Sequence, residues 1–274
     1  IYSSYANKEQ ALYLMNQPNG VPQKLSSSNG RASNGHWSQD DSRVVYLYRN
    51  STTCQFHQID FINGKAQPPR SIYQCIKNSY SNFAYSNDNQ TLYFVERGNE
   101  YAPYVAYQLN IASGEKQRLA QPNAIGKGNH QFDFSPSTGR FLLLSNQTPG
   151  NTTFFELNIL DNTFNELIKF DYFINNAIWA HQSDNIVHQG PHPSYQLLKT
   201  NLSTRTSSVL VSDTRRINDA KRINNQHDYL FSSYLFNSDI EINQQSVTDF
   251  NSSVTDFLPA ISHRGKLLAF ISKR

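Results

Sequence analysis

Few residues in this chain are of types and spacings that could do chemistry. His188-Gln189-Gly190-Pro191-His192 sets two imidazoles four residues apart, a spacing that binds zinc when a helix turns both rings to one side. The Gly-Pro turn denies them that helix, so they read as two surface histidines. His36, His130, His181 and His263 lie near repeated turns, but at registers too different for a common metal centre. A serine hydrolase needs Gly-x-Ser-x-Gly, which does not occur; Ser113-Gly114 and Ser28-Asn29-Gly30 are turn material. Neither catalysis, nor a metal, nor a cofactor is expected. What does recur is polar: Asn34, Asn82, Gln131, Asn176 and Asp219 each stand three residues before Trp37, Tyr85, Phe134, Trp179 and Arg222. If that register faces a channel, these groups form a ring able to hold water or a small polar ligand. The competing reading is that they satisfy strand ends through amides and ordered water.

Cys54 and Cys75 flank a hairpin whose turn, Asn63-Gly64-Lys65, falls at their midpoint. In an antiparallel pair with such a turn the sulfurs lie nearly opposite, within disulfide reach. A disulfide is therefore predicted; two unpaired thiols on a blade edge are the alternative. A bridge implies an oxidising compartment such as the periplasm or the cell exterior.

The elements that position these residues repeat. A polar turn running into a short apolar strand occurs at Trp37–Tyr46, Tyr85–Phe94, Phe134–Leu143, Trp179–His188, Arg222–Phe231 and Ile261–Phe270. The units are about 40 to 50 residues apart, the length of one four-stranded propeller blade. A sheet with two apolar sides must stack on neighbours at both. The expected fold is therefore all-β: a six-bladed β-propeller of four-stranded antiparallel blades, with residues 1–274 as a single domain. Strands are predicted at Ala32–Trp37, Val44–Arg49, Cys54–Phe61 and Ser71–Cys75 in the first full blade, with three similar sets following. The fifth set is the weakest, because Arg222 holds the aromatic place. Its later strands are expected near Tyr234–Asn237 and Ile240–Ser246.

Closure follows from the ends. Gln10–Asn16 and Pro22–Leu25 read as third and outer strands lacking inner partners, and Leu258–Ile271 reads as inner and second strands lacking outer ones. Joined, they make one composite closing blade with no exposed edge at the seam. Ile1–Tyr5 also reads as a second strand, which leaves open a piece trimmed at both ends from a longer propeller.

The stretch Leu12–Ser26 followed by His36–Tyr46 resembles the repeat of TolB-type propellers: a strand ending in Met-Asn, a Gly turn, a Lys-Leu-Ser stop, and a Trp-Ser-x-Asp turn. Phe134-Ser135-Pro136-Ser137-Thr138-Gly139-Arg140 matches that turn well and Ile261-Ser262-His263-Arg264-Gly265-Lys266 loosely. The resemblance implies architecture rather than activity, since such repeats occur in Tol-system proteins, peptidase propellers and sensor regions. The bridged hairpin in an Asn- and Gln-rich propeller is further similar to the periplasmic region of CadC-like or ToxR-like membrane-anchored winged-helix regulators.

Composition sets the outer bounds. Charged residues are 16% of the chain and the net charge is +3, which disfavours direct nucleic-acid binding. The clusters Arg215-Arg216 and Lys221-Arg222 read as solvated loop and strand-end charges. No apolar run reaches membrane-span length, so any membrane attachment is expected through segments outside this chain, which reads as a domain cut from a longer protein. The expected function is a non-catalytic periplasmic sensor or protein-interaction propeller, the sensing region of a membrane-anchored transcription regulator, with a protein, a peptide or a small polar signal as partner. The alternatives are a TolB-like envelope adaptor for peptide segments and, third, a peptidase's accessory propeller.

Overall fold

Alternating apolar residues on both sides of each strand dictate sheets buried on two faces, and every regular element observed is a β-strand. The computed structural model describes residues 2–6, 9–15, 21–26, 29–77, 79–99, 101–135, 138–181, 184–222 and 229–234, and the segments 241–242, 245–246, 256–261 and 268–272. Among them no helix is long and apolar enough to cross a membrane.

The first full blade pairs Arg31–Trp37, Arg43–Arg49, Cys54–Ile62 and Arg70–Gln74, and the short Lys65–Ala66 folds back on the tip of its third strand. The second contains Phe83–Tyr85, Thr91–Arg97, Tyr104–Asn110 and Lys116–Arg118; the third Asn129–Ser135, Arg140–Ser145, Thr152–Asn158 and Thr163–Phe170; the fourth Ala177–Trp179, Asn185–Gln189, Gln196–Asn201 and Thr206–Ser212. Each is an antiparallel meander in chain order from inner to outer strand. These are the all-β propeller blades expected. In the fifth, Arg216–Arg222 pairs with Tyr229–Tyr234. Tyr234 thus ends a second strand where a third was predicted to begin, and residues 235–240 lie outside the described residues.

Closure differs from the composite blade. Tyr2–Ala6 pairs with Glu9–Leu14, with Ser4 opposite Ala11, and so takes the second-strand place reserved for the C-terminal segment. Asp256–Ile261 pairs with Leu268–Ser272 in a separate sheet, and no pairing joins the two sheets among the described residues. A hairpin between sequence neighbours closes a far shorter loop than pairing between chain ends, at lower entropic cost.

Strand alternation assigns each side chain to one neighbour. Val44 and Tyr46 pack toward the N-terminal sheet with Leu12, while Val45 and Leu47 pack toward the second blade with Phe83 and Phe94. Leu92 and Phe94 face the first blade; Tyr93 and Val95 face the third. Phe141 and Leu143 then face back to the second blade, Leu142 and Leu144 forward to the fourth, and Ile178 and Val187 on to Ile217 and Ala220 of the fifth. Each fully buried side chain of this kind contributes roughly 1.5–3 kcal/mol. Aromatic contacts add direction: Phe56 meets Phe83 and Phe94 edge-on at 4.8 and 5.0 Å.

The polar turns follow from their residues. Asp40 accepts hydrogen bonds from Ser38 Oγ and Ser42 N, while Ser38 Oγ accepts from Arg43 N. Ser86, Asp88 and Thr91 repeat the arrangement. The turns require left-handed residues, supplied by Asp41 (φ 55°) and Asn89 (φ 57°). Asn89 Oδ1 also accepts from Gln39 N, fastening one turn to the next.

Cys54 and Cys75 are bonded, with Cα atoms 5.0 Å apart. Gln55 stands opposite Gln74, so the cysteines continue the register, and Cys75 N donates to Cys54 O. Both are buried in the core between the first and second blades. Replacing both with Ala is expected to lower the unfolding free energy by roughly 3 kcal/mol, through the loop-closure entropy regained by the unfolded chain; denaturant titration of the double variant beside the oxidised protein checks this.

Candidate functional site

Five inner strands bring their N-terminal ends together. Asn34, Asn82, Gln131, Asn176 and Asp219, one from each successive blade, line a single cavity of about 420 Å³. Residues two apart on a strand share a side, and accordingly His36 and Lys221 line it as well, with Ser3, Tyr80 and Phe231.

The five polar groups are not equivalent. Asn176 Oδ1 accepts from Ala220 N at 3.0 Å, tying the fourth blade to the fifth. Asn34 sits at a bulge with φ 57° and donates from Nδ2 to Ser81 O at 2.6 Å, tying the first to the second. Asp219 accepts from Asn218 Nδ2 at 2.9 Å. By contrast, Asn82 Oδ1 is buried without a hydrogen-bond partner. Structural amides and uncommitted ones therefore share one wall.

Electrostatics couple blades across this space. The Tyr80 phenol is raised above its ordinary range, first by desolvation and then by the Asp219 carboxylate. Burial raises the Asp219 carboxyl, opposed by Lys221. Burial and then the charges of Lys221 and Arg222 push His36 down to about 3, so its ring is neutral.

Arg222 corrects the expectation of solvated charges. Its side chain is 18% exposed, and its guanidinium donates to Asp133 Oδ2 at 2.6 Å and to the carbonyls of Trp179 and Phe134 at 2.8 Å each. Asp133 Oδ2 also accepts from Trp179 N at 2.9 Å. The residue that broke the aromatic pattern thus ties the inner strands of three blades at their turn ends. Arg215 does sit in a loop, paired with Asp213 at 2.9 Å.

The histidine pair does not converge. His188 is buried, with Nδ1 donating to Gln189 O at 2.8 Å and Nε2 accepting from the Thr200 hydroxyl at 2.7 Å; burial pushes its pKa down to about 4. His192 is exposed and lines a separate cavity of about 230 Å³ with Tyr172 and Arg216. His130 is buried against Gly128 O and Ile174 O, and His263 lies outside the described residues. No group of three or more potential metal ligands occurs among the described residues. A cavity of about 520 Å³ between the first two blades is lined by Arg43, Asp60 and Arg70, where Asp60 lies 3.7 and 3.5 Å from the two guanidinium groups and offsets one of their two charges. Sequence reasoning missed Lys221, Tyr80 and the Arg222–Asp133 link. Lys221 was readable from strand period alone, two residues after Asp219.

The geometry is that of a β-propeller with a TolB-like fold. Among solved structures, the chain is similar to TolB from Acinetobacter baumannii (TM-score 0.62, 15% identity, 82% of this chain and 57% of that one). It is also similar to a putative TolB from Agrobacterium tumefaciens (TM-score 0.55, 14% identity, 73% of each chain). A puromycin-hydrolyzing peptidase of Mycobacterium tuberculosis matches at TM-score 0.52 and 13% identity over 73% of this chain and 33% of that one. The chain thus spans just over half of the first of these, and likeness at such identities defines the fold alone. No family model matches the sequence. No curated protein matches it either.

The split within the polar ring has a measurable consequence. Asn176→Ala orphans the Ala220 amide and is expected to cost about 1–3 kcal/mol. Asn82→Ala deletes a buried acceptor that bonds nothing and should leave stability unchanged or raise it, by about 1 kcal/mol at most. Chemical denaturation of both variants reads the difference.

Proposed function

We propose that this chain is a non-catalytic recognition propeller of the bacterial periplasm, that it binds a polar signal or partner segment in its axial cavity, and that it forms the sensing region of a membrane-anchored transcription regulator. The observation that carries the reading is the convergence of five inner-strand polar residues on one cavity, with the buried Asn82 Oδ1 left unbonded there. A buried polar atom without a partner costs free energy that a ligand bearing a donor recovers. The Cys54–Cys75 bond supports a location outside the cytoplasm. The regulator assignment draws on the similarity of the bridged hairpin to periplasmic sensor regions. A second reading, an envelope adaptor that binds peptide segments of other proteins, is favoured by the likeness to two TolB structures.

Filling the cavity tests the proposal. Ser232 lines it and is exposed, so Ser232→Trp should occupy the space while leaving the blade cores intact. Immobilised wild-type protein is expected to retain a component of a periplasmic extract that the folded variant does not. A retained species of low mass supports the sensor, and a retained protein supports the adaptor. Equal retention by both forms, or chemical conversion of the retained species, overturns the reading.

A further inference from the structure

The axial cavity is electrically divided. Lys221 lines it and makes no hydrogen bond or ion pair among the described residues. The charge of the adjacent Arg222 is already engaged by Asp133, and the neighbouring His36 is held neutral. That part of the cavity therefore presents one ammonium whose nearest opposite charge, the Asp219 carboxylate, acts on it through space without a hydrogen bond. Two residues earlier on the same strand, Asp219 also faces the cavity, about 6.5–7 Å away along the strand. Its carboxylate accepts a hydrogen bond from Asn218 but forms no ion pair with Lys221 among the described residues. At the corresponding position of the second blade's repeat, Asn82 also lines the cavity, and its Oδ1 is a buried acceptor without a donor. Acceptors at one level and an ammonium with no hydrogen bond at the next call for a ligand with the opposite order of charge. A dication would meet Lys221 and a dianion would meet Asp219, each at like charge, so neither fits both.

We infer that the cavity is a site for a small zwitterion, a free α-amino acid or a dipeptide, whose carboxylate pairs with Lys221 and whose ammonium is held by Asp219 and Asn82. The inference rests on the recognition reading given above and names the ligand class for it. The volume of about 420 Å³ lies in the usual range for small-molecule sites, roughly 300–1,000 Å³. Phe83, Leu230 and Phe231 on the wall offer apolar contact to the ligand's side chain. Charge-assisted hydrogen bonds at both ends fix orientation, since reversal sets like charges together at each.

Calorimetric titration of the intact chain tests this with four probes: L-leucine, L-alanyl-L-leucine, N-acetyl-L-leucine, which lacks the ammonium, and L-leucinamide, which lacks the carboxylate. The free zwitterions are expected to bind, and each blocked derivative to bind weaker by about tenfold or more. Lys221→Met should remove the preference for leucine over leucinamide and leave the preference over N-acetyl-leucine. Asp219→Asn should do the reverse. Blocked derivatives that bind as tightly as leucine overturn the inference, as does tighter binding of 1,4-diaminobutane or succinate. If no zwitterion binds, or competes with a component that wild type retains and Ser232→Trp does not, the inference fails while the recognition reading stands. If no such component exists either, both fail.

Discussion

Two-sided burial is the constraint on which the rest of this structure depends. A four-stranded sheet with apolar residues on both faces has no stable existence alone, and each of these sheets finds a neighbour on either side for its alternating residues. The first blade shows the requirement most clearly: Val44 and Val45 are consecutive, both buried, and belong to different inter-blade cores. A one-residue slip of that strand would exchange the two cores, so register is strongly specified. The turn between inner and second strands sets that register locally through its serine and aspartate hydrogen bonds.

Stacking of this kind leaves the inner strand ends gathered near one another, and there the chain switches from apolar to polar. Asn34 and Asn176 use that position structurally, each bonding the backbone of the next blade. Arg222 does the same at the other end of its strand, with carbonyls of two other blades and with Asp133. The interior that remains is a polar cavity rather than a packed core. It holds a neutral histidine, a carboxyl raised by burial and a lysine whose charge opposes that rise.

Much of this was legible in the sequence, because the signals are local. Polar turns ahead of apolar strands marked the blades, and the strands expected at Ala32–Trp37, Val44–Arg49, Cys54–Phe61 and Ser71–Cys75 form within one residue of those bounds. The cysteines could be paired because they are equidistant from a hairpin turn. The polar ring could be found because it keeps a fixed distance from the aromatic position. What escaped depends on distant partners. Arg222 read as a solvated charge because Asp133, its counter-ion, stands 89 residues earlier in another blade. Which amides are structural was equally hidden, since Asn176 bonds Ala220 in the next repeat while Asn82 Oδ1 bonds nothing. The place of Tyr2–Ala6 was ambiguous because two segments carry the same second-strand pattern and alternation alone does not choose between them.

The central claim is that the repeats stack as blades whose inner strands converge, and the Arg222–Asp133 contact between the fifth and third blades is its sharpest consequence. A double-mutant cycle with Arg222→Met and Asp133→Ala, followed by equilibrium unfolding, measures that contact directly. Convergence predicts strong coupling, about 2 kcal/mol or more, because each single change leaves the other charge half-buried and unpaired. Additivity of the two changes to within about 0.5 kcal/mol would contradict it.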